Sequence, residues 1–326
     1  MQAIVIAAPG GPEVLTLTDL PDPIPTAGEV LIRVQAFGVN HAEAYMRSGA
    51  WGEVAAVPGI ECAGVVEADP SGALPVGTRV VALLGGMGRT RNGSYAERVT
   101  VPASNVVAVH SSLDWADLAA VPEVYATAWS GLFGNLDLQP GETVLVRGAT
   151  SSLGQAAVNL AVDHGATVLG TTRNPAHAAL LKELGATDVL VDDGALAAQA
   201  RARGLAIDAV FDVVGNRVLR DSLALVRPRG RVCQLGFLGG FAPVQDFDPI
   251  TDLPSGVRLS FFGSAFVLGT PAFPLTDVPL DQIYAKVQAG TLRARPTRVF
   301  RFDEIAEAHR VMEAGQALGK MVVVLG

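Results

Sequence analysis

The stretch Thr143-Val-Leu-Val-Arg-Gly-Ala-Thr-Ser-Ser-Leu-Gly-Gln-Ala-Ala-Val-Asn-Leu-Ala161 changes hydrophobic period at its middle, and the fold is read outward from that change. Thr143–Val146 is short, apolar and β-branched, and it follows the turn dipeptide Pro140-Gly141. Leu153, Ala156, Ala157, Leu160 and Ala161 then recur at helical spacing. The join, Gly148-Ala-Thr-Ser-Ser-Leu-Gly154, is made of small residues that let the backbone approach an anion. The N–H groups of a helix's first turn, with the positive end of its dipole, can hold a pyrophosphate without a basic side chain. The turn is not G-x-G-x-x-G, because Ala149-Thr150 and Ser151-Ser152 stand where two of those glycines would be expected. A small-residue βα turn that binds nothing fits the same residues, so the surroundings must decide.

Thr167–Thr172 is a second apolar strand about one βα unit later, Asp208–Gly215 another, and Arg231–Gly236 another. Helix-like segments lie between them at Ala176–Leu184, Ala195–Arg203 and Val218–Val226. Strands alternating with helices at this spacing predict an α/β, doubly wound parallel sheet whose ligand lies at the carboxyl ends of the strands.

The N-terminal part has a different rhythm. Ala3–Ala8, Val14–Leu17, Glu29–Ala36, Ala63–Ala68, Arg79–Leu84 and Ser94–Val99 are short β-like runs separated by Gly, Pro and Asp, which predicts a compact barrel-like β domain. A helix-like stretch at Asp114–Ala120 leads through Pro122 to another at Tyr125–Phe133. After Gly236 a Pro-containing loop runs from about Gly239 to Gly256, followed by a strand at Val257–Gly263. Pro279–Ala289 then reads as a helix, Arg298–Phe302 as a strand, Asp303–Ala314 as a helix opened by an Asp cap, and Lys320–Leu325 as a last strand. The expected division is 1–122, 123–266, and a segment 267–326 that returns to the first domain.

Composition narrows the function classes. The 326 residues are 49% hydrophobic and 17% charged, enough for two folded cores. A net charge of −8 argues against a nucleic-acid surface. Cys62 and Cys233 suggest no disulfide framework, which fits a reducing, cytoplasmic setting. The start reads as a first strand rather than a signal peptide, and no apolar run is long enough for a membrane span.

Assembled in order, the segments Gly38-Val-Asn-His-Ala-Glu-Ala-Tyr-Met-Arg-Ser-Gly49, Pro58-Gly-Ile-Glu-Cys-Ala-Gly-Val-Val66, Gly93-Ser-Tyr-Ala-Glu97, Gly148–Gly154 and Ala308–Val323 resemble the medium-chain dehydrogenase/reductase superfamily. The match is strongest to its zinc-independent quinone oxidoreductase (zeta-crystallin-like) group. The resemblance implies a GroES-like β-barrel catalytic domain, a Rossmann cofactor domain, and catalysis in the cleft between them. In the zinc-dependent members a Cys matches Asn40 and a His matches Ile60, and neither residue here can give zinc a thiolate or imidazole. Gly85–Tyr95 lacks the four-Cys cluster of a structural zinc, and His41 has no convergent partners, so no metal is expected.

Without a Lewis acid the expected chemistry moves from alcohol oxidation to reduction of a conjugated acceptor, a quinone or an α,β-unsaturated carbonyl. Asn40 and Tyr45 match the family's Asn-x-x-(Asp/Glu)-x-Tyr element beside the nicotinamide. Tyr45 is either a hydrogen-bond or proton donor or an aromatic lining, and Arg47 anchors the loop. After the second Rossmann strand, Thr172 stands where NAD-preferring enzymes place an acid, with Arg173 beside it, so NADP(H) is the expected cofactor. The resemblance assigns further cofactor contacts to Thr127, Ser151, Ser152, Leu153, Gly154, Val214, Gly215, Leu235, Gly236, Phe237 and Lys320. Many relatives carry Gly-Gly in place of Ser151-Ser152 and a Tyr, an adenosine contact, in place of Asp192. The rival readings are an enoyl-thioester or other ene reductase with Tyr45 as proton donor, and a non-catalytic NADPH-binding sensor. Leu259–Val267 matches the edge strand through which relatives form homodimers.

Overall fold

Short β-branched runs bounded by Gly and Pro become strands through the first third of the chain, as their packing preference requires. The computed structural model describes residues 1–325. The strands are β1 (Gln2–Ile6), β2 (Leu15–Asp19), β3 (Glu29–Val39), β4 (Glu61–Ala68), β5 (Arg79–Leu83), β6 (Arg98–Pro102) and β7 (Val106–Ala108). Three helices interrupt or follow them: α1 (His41–Arg47), α2 (Trp115–Ala119) and α3 (Pro122–Trp129). The βα alternation follows with β8 (Thr143–Arg147), α4 (Ser152–Asp163), β9 (Thr167–Thr172), α5 (Ala178–Glu183), β10 (Asp188–Val191), α6 (Leu196–Ala202), β11 (Ala209–Asp212), α7 (Leu219–Leu225) and β12 (Arg231–Gln234). The chain closes with α8 (Pro249–Asp252), β13 (Arg258–Phe261), α9 (Ser264–Val267), α10 (Leu280–Gln288), β14 (Arg298–Arg301), α11 (Ile305–Glu313) and β15 (Met321–Val324).

Two compact units result. Met1–Ala126 with Ala265–Gly326 forms the first and Thr127–Ser264 the second. In the first, a β1-β2 ribbon accompanies a seven-stranded sheet in the order β14-β15-β3-β4-β5-β7, with β6 also paired to β3. The C-terminal β15 lies antiparallel on β3, Met321 opposite Val39, so a strand from the far end of the sequence completes the sheet that β3 begins. Its core gathers Val30, Ile32, Val34 and Phe37 of β3 with Met321 and Val323 of β15 and Ile305, Ala308 and Met312 of α11.

The second unit is a six-stranded, all-parallel sheet in the order β10-β9-β8-β11-β12-β13. Strand order reverses between β8 and β11, and ligands of such sheets sit at that reversal, outside the carboxyl ends of the strands. Leu145, Leu169, Leu190, Val210 and Val232 of five strands pack on Leu196, Ala197, Ala200, Leu219 and Leu223 of α6 and α7. Strands buried this way read as continuous apolar runs, which is why they were visible in the sequence.

The structure corrects several local expectations. Leu259–Val267 is not one strand: β13 ends at Phe261, and Ser264–Val267 turns as a helix. Ser94–Val99 is displaced: the Ser94 and Tyr95 N–H groups bond the Gly59 (3.2 Å) and Pro58 (3.0 Å) carbonyls, and strand geometry begins only at Arg98. No Asp caps the last helix. A 3-10 turn, Phe302–Glu304, precedes it, and the Glu304 carboxylate takes the Arg301 N–H (2.8 Å). The loop after Gly239 contains the short α8, whose first turn is capped by Asp248 (3.0 Å to the Ile250 N–H). No helix among the described residues is long and apolar enough to cross a membrane.

Candidate active site

In the first unit the functional residues hang on α1. Asn40 precedes it and Glu43 is its third residue, the Asn-x-x-Glu pattern of a capped helix start. The Glu43 carboxylate accepts the Asn40 N–H (2.8 Å), the Ile60 N–H (3.1 Å) and a longer bond from the Asn40 amide (3.3 Å). That amide also donates to Glu61 (3.0 Å), and Glu61 takes the Glu123 N–H on its other oxygen (2.8 Å). Lys320 completes the cluster. Its Nζ donates to Asn40 Oδ1 at 2.5 Å and ion-pairs with Glu61. Glu43 and Glu61 are fully buried, and Lys320 is nearly so. Burial pushes the Glu43 carboxyl up to about 8, the Lys320 ammonium opposing and the Glu61 charge reinforcing the shift.

The structure therefore brings together two of the sequence-assigned residues, Asn40 and Lys320, with two acids that were given no role, Glu43 and Glu61. Asn40 has both ends of its amide engaged by this cluster. Tyr45, further along α1, is half-buried, with its ring 6.4 Å from His41 and 6.2 Å from Trp51. Trp51 stands 6.4 Å from Phe266, and the Arg89 guanidinium lies 4.3 Å over the Phe266 ring. Burial raises the Tyr45 phenol, which keeps its proton at neutral pH. Arg47 is an anchor: fully buried, it donates to the Gly10 carbonyl and pairs with Glu313. Among the described residues no three His, Cys, Asp or Glu side chains converge to hold a metal ion, and Ile60 is a buried apolar side chain.

In the second unit the assigned residues fall at the carboxyl ends of the parallel strands. Gly148 turns the chain out of β8 with φ +82°. Ser151 caps α4, its hydroxyl accepting the Gly154 N–H (3.0 Å) and donating to the Gly148 carbonyl (2.8 Å). Any Cβ on Gly154 would strike the Gly148 carbonyl and the Ala149 backbone, so only glycine seats the helix this close to the strand. The N–H groups of Ser152 and Leu153, at the start of α4, are then left to an outside acceptor. Val214 and Gly215 follow β11, and their N–H groups both bond Asp212 Oδ1 at 2.8 Å. Leu235, Gly236 and Phe237 follow β12, and a Cβ on Gly215 would meet the Gly236 carbonyl. Thr172 ends β9 with its hydroxyl bonded to the Asn174 N–H (3.1 Å) and carbonyl (3.0 Å). Arg173 beside it is exposed and unpaired. These residues fit a dinucleotide: a glycine-seated helix start for the pyrophosphate and a free cation at the next strand end. Thr127 is buried at the start of the same unit.

Sequence reasoning passed over Arg147. It ends the apolar β8, yet its side chain is fully buried among Asp192, Asp221 and Ser222. A charged residue closing an otherwise apolar strand was the available signal.

Comparison with known proteins matches residues 26–111 to the alcohol dehydrogenase GroES-like domain and residues 184–323 to the zinc-binding dehydrogenase family. These define a two-domain dehydrogenase. Human quinone oxidoreductase is 30% identical, covering 100% of this chain and 98% of that protein. A 2-haloacrylate reductase from Burkholderia is 30% identical over 99% of each chain. Among solved structures, a mycobacterial protein in complex with NADPH superposes with a TM-score of 0.86 at 29% identity, covering 99% of each chain. The chain belongs to the medium-chain dehydrogenase/reductase superfamily, in its quinone-oxidoreductase-like group.

Proposed function

We propose that the chain is a zinc-independent reductase that uses NADPH to reduce quinones or α,β-unsaturated carbonyls. The observation that carries the cofactor choice is the exposed, unpaired Arg173 beside Thr172, at the strand end where an acid would select NADH. A guanidinium can take a 2′-phosphate through two hydrogen bonds. The NADPH-bound mycobacterial relative supports the same assignment. The proposed cofactor contacts are those assigned above in the second unit, with Lys320 acting from its place beside Asn40.

Nicotinamide, when bound, supplies a hydride. Reducing a quinone or the β-carbon of an enone leaves charge on oxygen, and a donor must meet it. Tyr45 is that donor in our reading. A phenol that keeps its proton can donate a hydrogen bond to that oxygen, and whether it also passes the proton on is what separates this reading from an ene reductase with Tyr45 as proton source. Asn40 and Ile60 offer zinc neither thiolate nor imidazole, so no Lewis acid enters the scheme.

The test is NADPH oxidation by chelator-treated protein against quinones, alkenals, enones and enoyl-thioesters, with NADH in parallel. Turnover with quinones or enones that survives chelation is expected. Tight NADPH binding without turnover on any of them would instead indicate a sensor. Arg173→Ala should lower the NADPH-to-NADH preference by about tenfold, a typical loss for one charge-assisted phosphate contact. An unchanged preference would remove the 2′-phosphate role.

We also propose a homodimer through β13. It is the edge of the parallel sheet, and Leu259 and Phe261 on it are 38% and 55% exposed. An apolar edge left open is an aggregation hazard that pairing would remove. Light scattering on the eluting protein should give twice the chain mass, and a monomer would end the proposal.

A further inference from the structure

Asp192 follows β10 and sits beside Thr172. Val191 pairs with Thr172 in the sheet, and the Asp192 N–H donates to the Thr172 carbonyl (2.8 Å). An acid is thus borne one strand over from the Thr172-Arg173 corner, at the same end of the sheet. In sheets of this kind an acid at the end of the second strand takes the ribose 2′-hydroxyl and repels a 2′-phosphate, and Asp192 stands one strand over from that end, against the same corner. Left free, Asp192 would work against Arg173.

It is not free. The guanidinium of Arg147 clasps both of its oxygens, Nε to Oδ2 at 2.8 Å and Nη2 to Oδ1 at 2.9 Å, and the Gly194 N–H adds a bond to Oδ1 at 3.0 Å. Arg147 is itself immobilised. Its remaining nitrogen pairs with Asp221 (2.8 Å) and donates to the Ser222 hydroxyl (2.9 Å) and, less closely, to the Val218 carbonyl (3.3 Å). Asp221 is fixed in turn by the Ala197 N–H (3.0 Å). The Arg147 side chain is completely buried and that of Asp192 is 10% exposed. A guanidinium stays charged at any working pH and matches a carboxylate in two-point geometry, so this clasp is both permanent and oriented.

We infer that Arg147 is a positioning residue for cofactor choice, holding the Asp192 carboxylate turned inward and neutralised so that it neither takes a ribose hydroxyl nor repels a 2′-phosphate. This rests on the NADP(H) reading above. It makes selection at this corner the work of two arginines, Arg173 facing outward and Arg147 silencing the neighbouring acid from beneath.

Binding of adenosine 2′,5′-bisphosphate and of 5′-AMP to the full chain, by titration calorimetry, tests this without turnover. The natural chain should prefer the bisphosphate. Arg147→Gln should lower that preference about tenfold, the scale of one uncompensated charge beside the Thr172-Arg173 corner. Asp192→Asn should leave it within about twofold, and the double variant should recover most of the lost preference, because the acid beside the Thr172-Arg173 corner is gone and only Asp221, back on α7, has lost its partner. Should Arg147→Gln fail to fold, Arg147→Lys, which keeps charge but loses the two-point clasp, should lower the preference partway, again reversed by Asp192→Asn. If Arg147→Gln weakens both fragments equally, or if the double variant does not recover, the residue is structural only and the inference falls. If the natural chain binds both fragments alike, it is the NADP(H) reading that fails and the inference goes with it.

Discussion

Lys320→Met should lower the stability of the folded chain by about 3–5 kcal/mol, the usual cost of leaving one member of a buried ion pair without its partner. Met keeps most of the aliphatic stem, so packing against Gly38 changes little and the missing charge is what the experiment reads. Glu61, fully buried, would lose its ion pair and face Glu43 with only hydrogen bonds around it. Asn40 Oδ1 would lose its donor as well. The pH dependence follows from Glu43. Its folded-state pKa, about 8, lies above the ordinary 4.5, so the stability tied to this group is fully present below about pH 4.5 and is lost as pH rises through about 8. Removing the ammonium that opposes this shift extends the loss upward. Urea denaturation should therefore show a larger deficit for Lys320→Met at pH 8 than at pH 5, and Glu61→Gln added to it should recover most of the deficit. A loss below about 1 kcal/mol, or one that does not shrink on acidification, would mean that Lys320 is not holding the two acids together.

This cluster also marks where sequence reading ran short. The second unit was legible because its strands are buried on both faces and its helices are amphipathic, so the change of period at Gly148 fell where β8 gives way to α4. Helix α1 escaped notice for the opposite reason. It has seven residues, and its inward face carries Glu43 and Arg47, both buried. Burial of charge reverses the pattern on which periodicity depends. The local signal was there in the Asn40-x-x-Glu43 cap, but a cap read alone does not reveal that Lys320, 280 residues away in the chain, closes the same network. Arg147 was hidden likewise. Its partners come from β10 and α7, and only the parallel pairing of the sheet brings them to one strand end. By contrast Thr172, Arg173 and Gly154 could be located directly, because each is defined by its own position at a strand or helix end. The short β7 and the displaced β6 show a lesser limit: a three-residue strand carries too few alternations to count, and the Ser94 and Tyr95 N–H groups go to the Gly59 and Pro58 carbonyls instead of the ladder that their neighbours suggest.

Gly154→Val should reduce NADPH affinity by at least about 100-fold, equivalent to roughly 2.7 kcal/mol, and destabilise the chain by about 3 kcal/mol, the upper range for forcing bulk into close packing. The atoms a Cβ would meet are backbone: the Gly148 carbonyl, Ala149 Cα at 2.7 Å and the Ala149 carbonyl carbon at 2.9 Å. None of these can rotate away as a side chain would. The first turn of α4 would have to lift from the end of β8, breaking the bond from the Gly154 N–H to the Ser151 hydroxyl and turning the free N–H groups away from any phosphate. Gly134→Ala is the control, since nothing lies within 4 Å of the added Cβ, and it should leave both quantities within about 0.5 kcal/mol of the natural chain. NADPH fluorescence titration and urea denaturation on the same samples separate the two effects. Stability lost with affinity retained would mean that the helix start is held by this contact but does not bind the cofactor. Affinity lost with the fold intact would place the pyrophosphate at the first turn of α4, with Ser151 acting through the cap it makes.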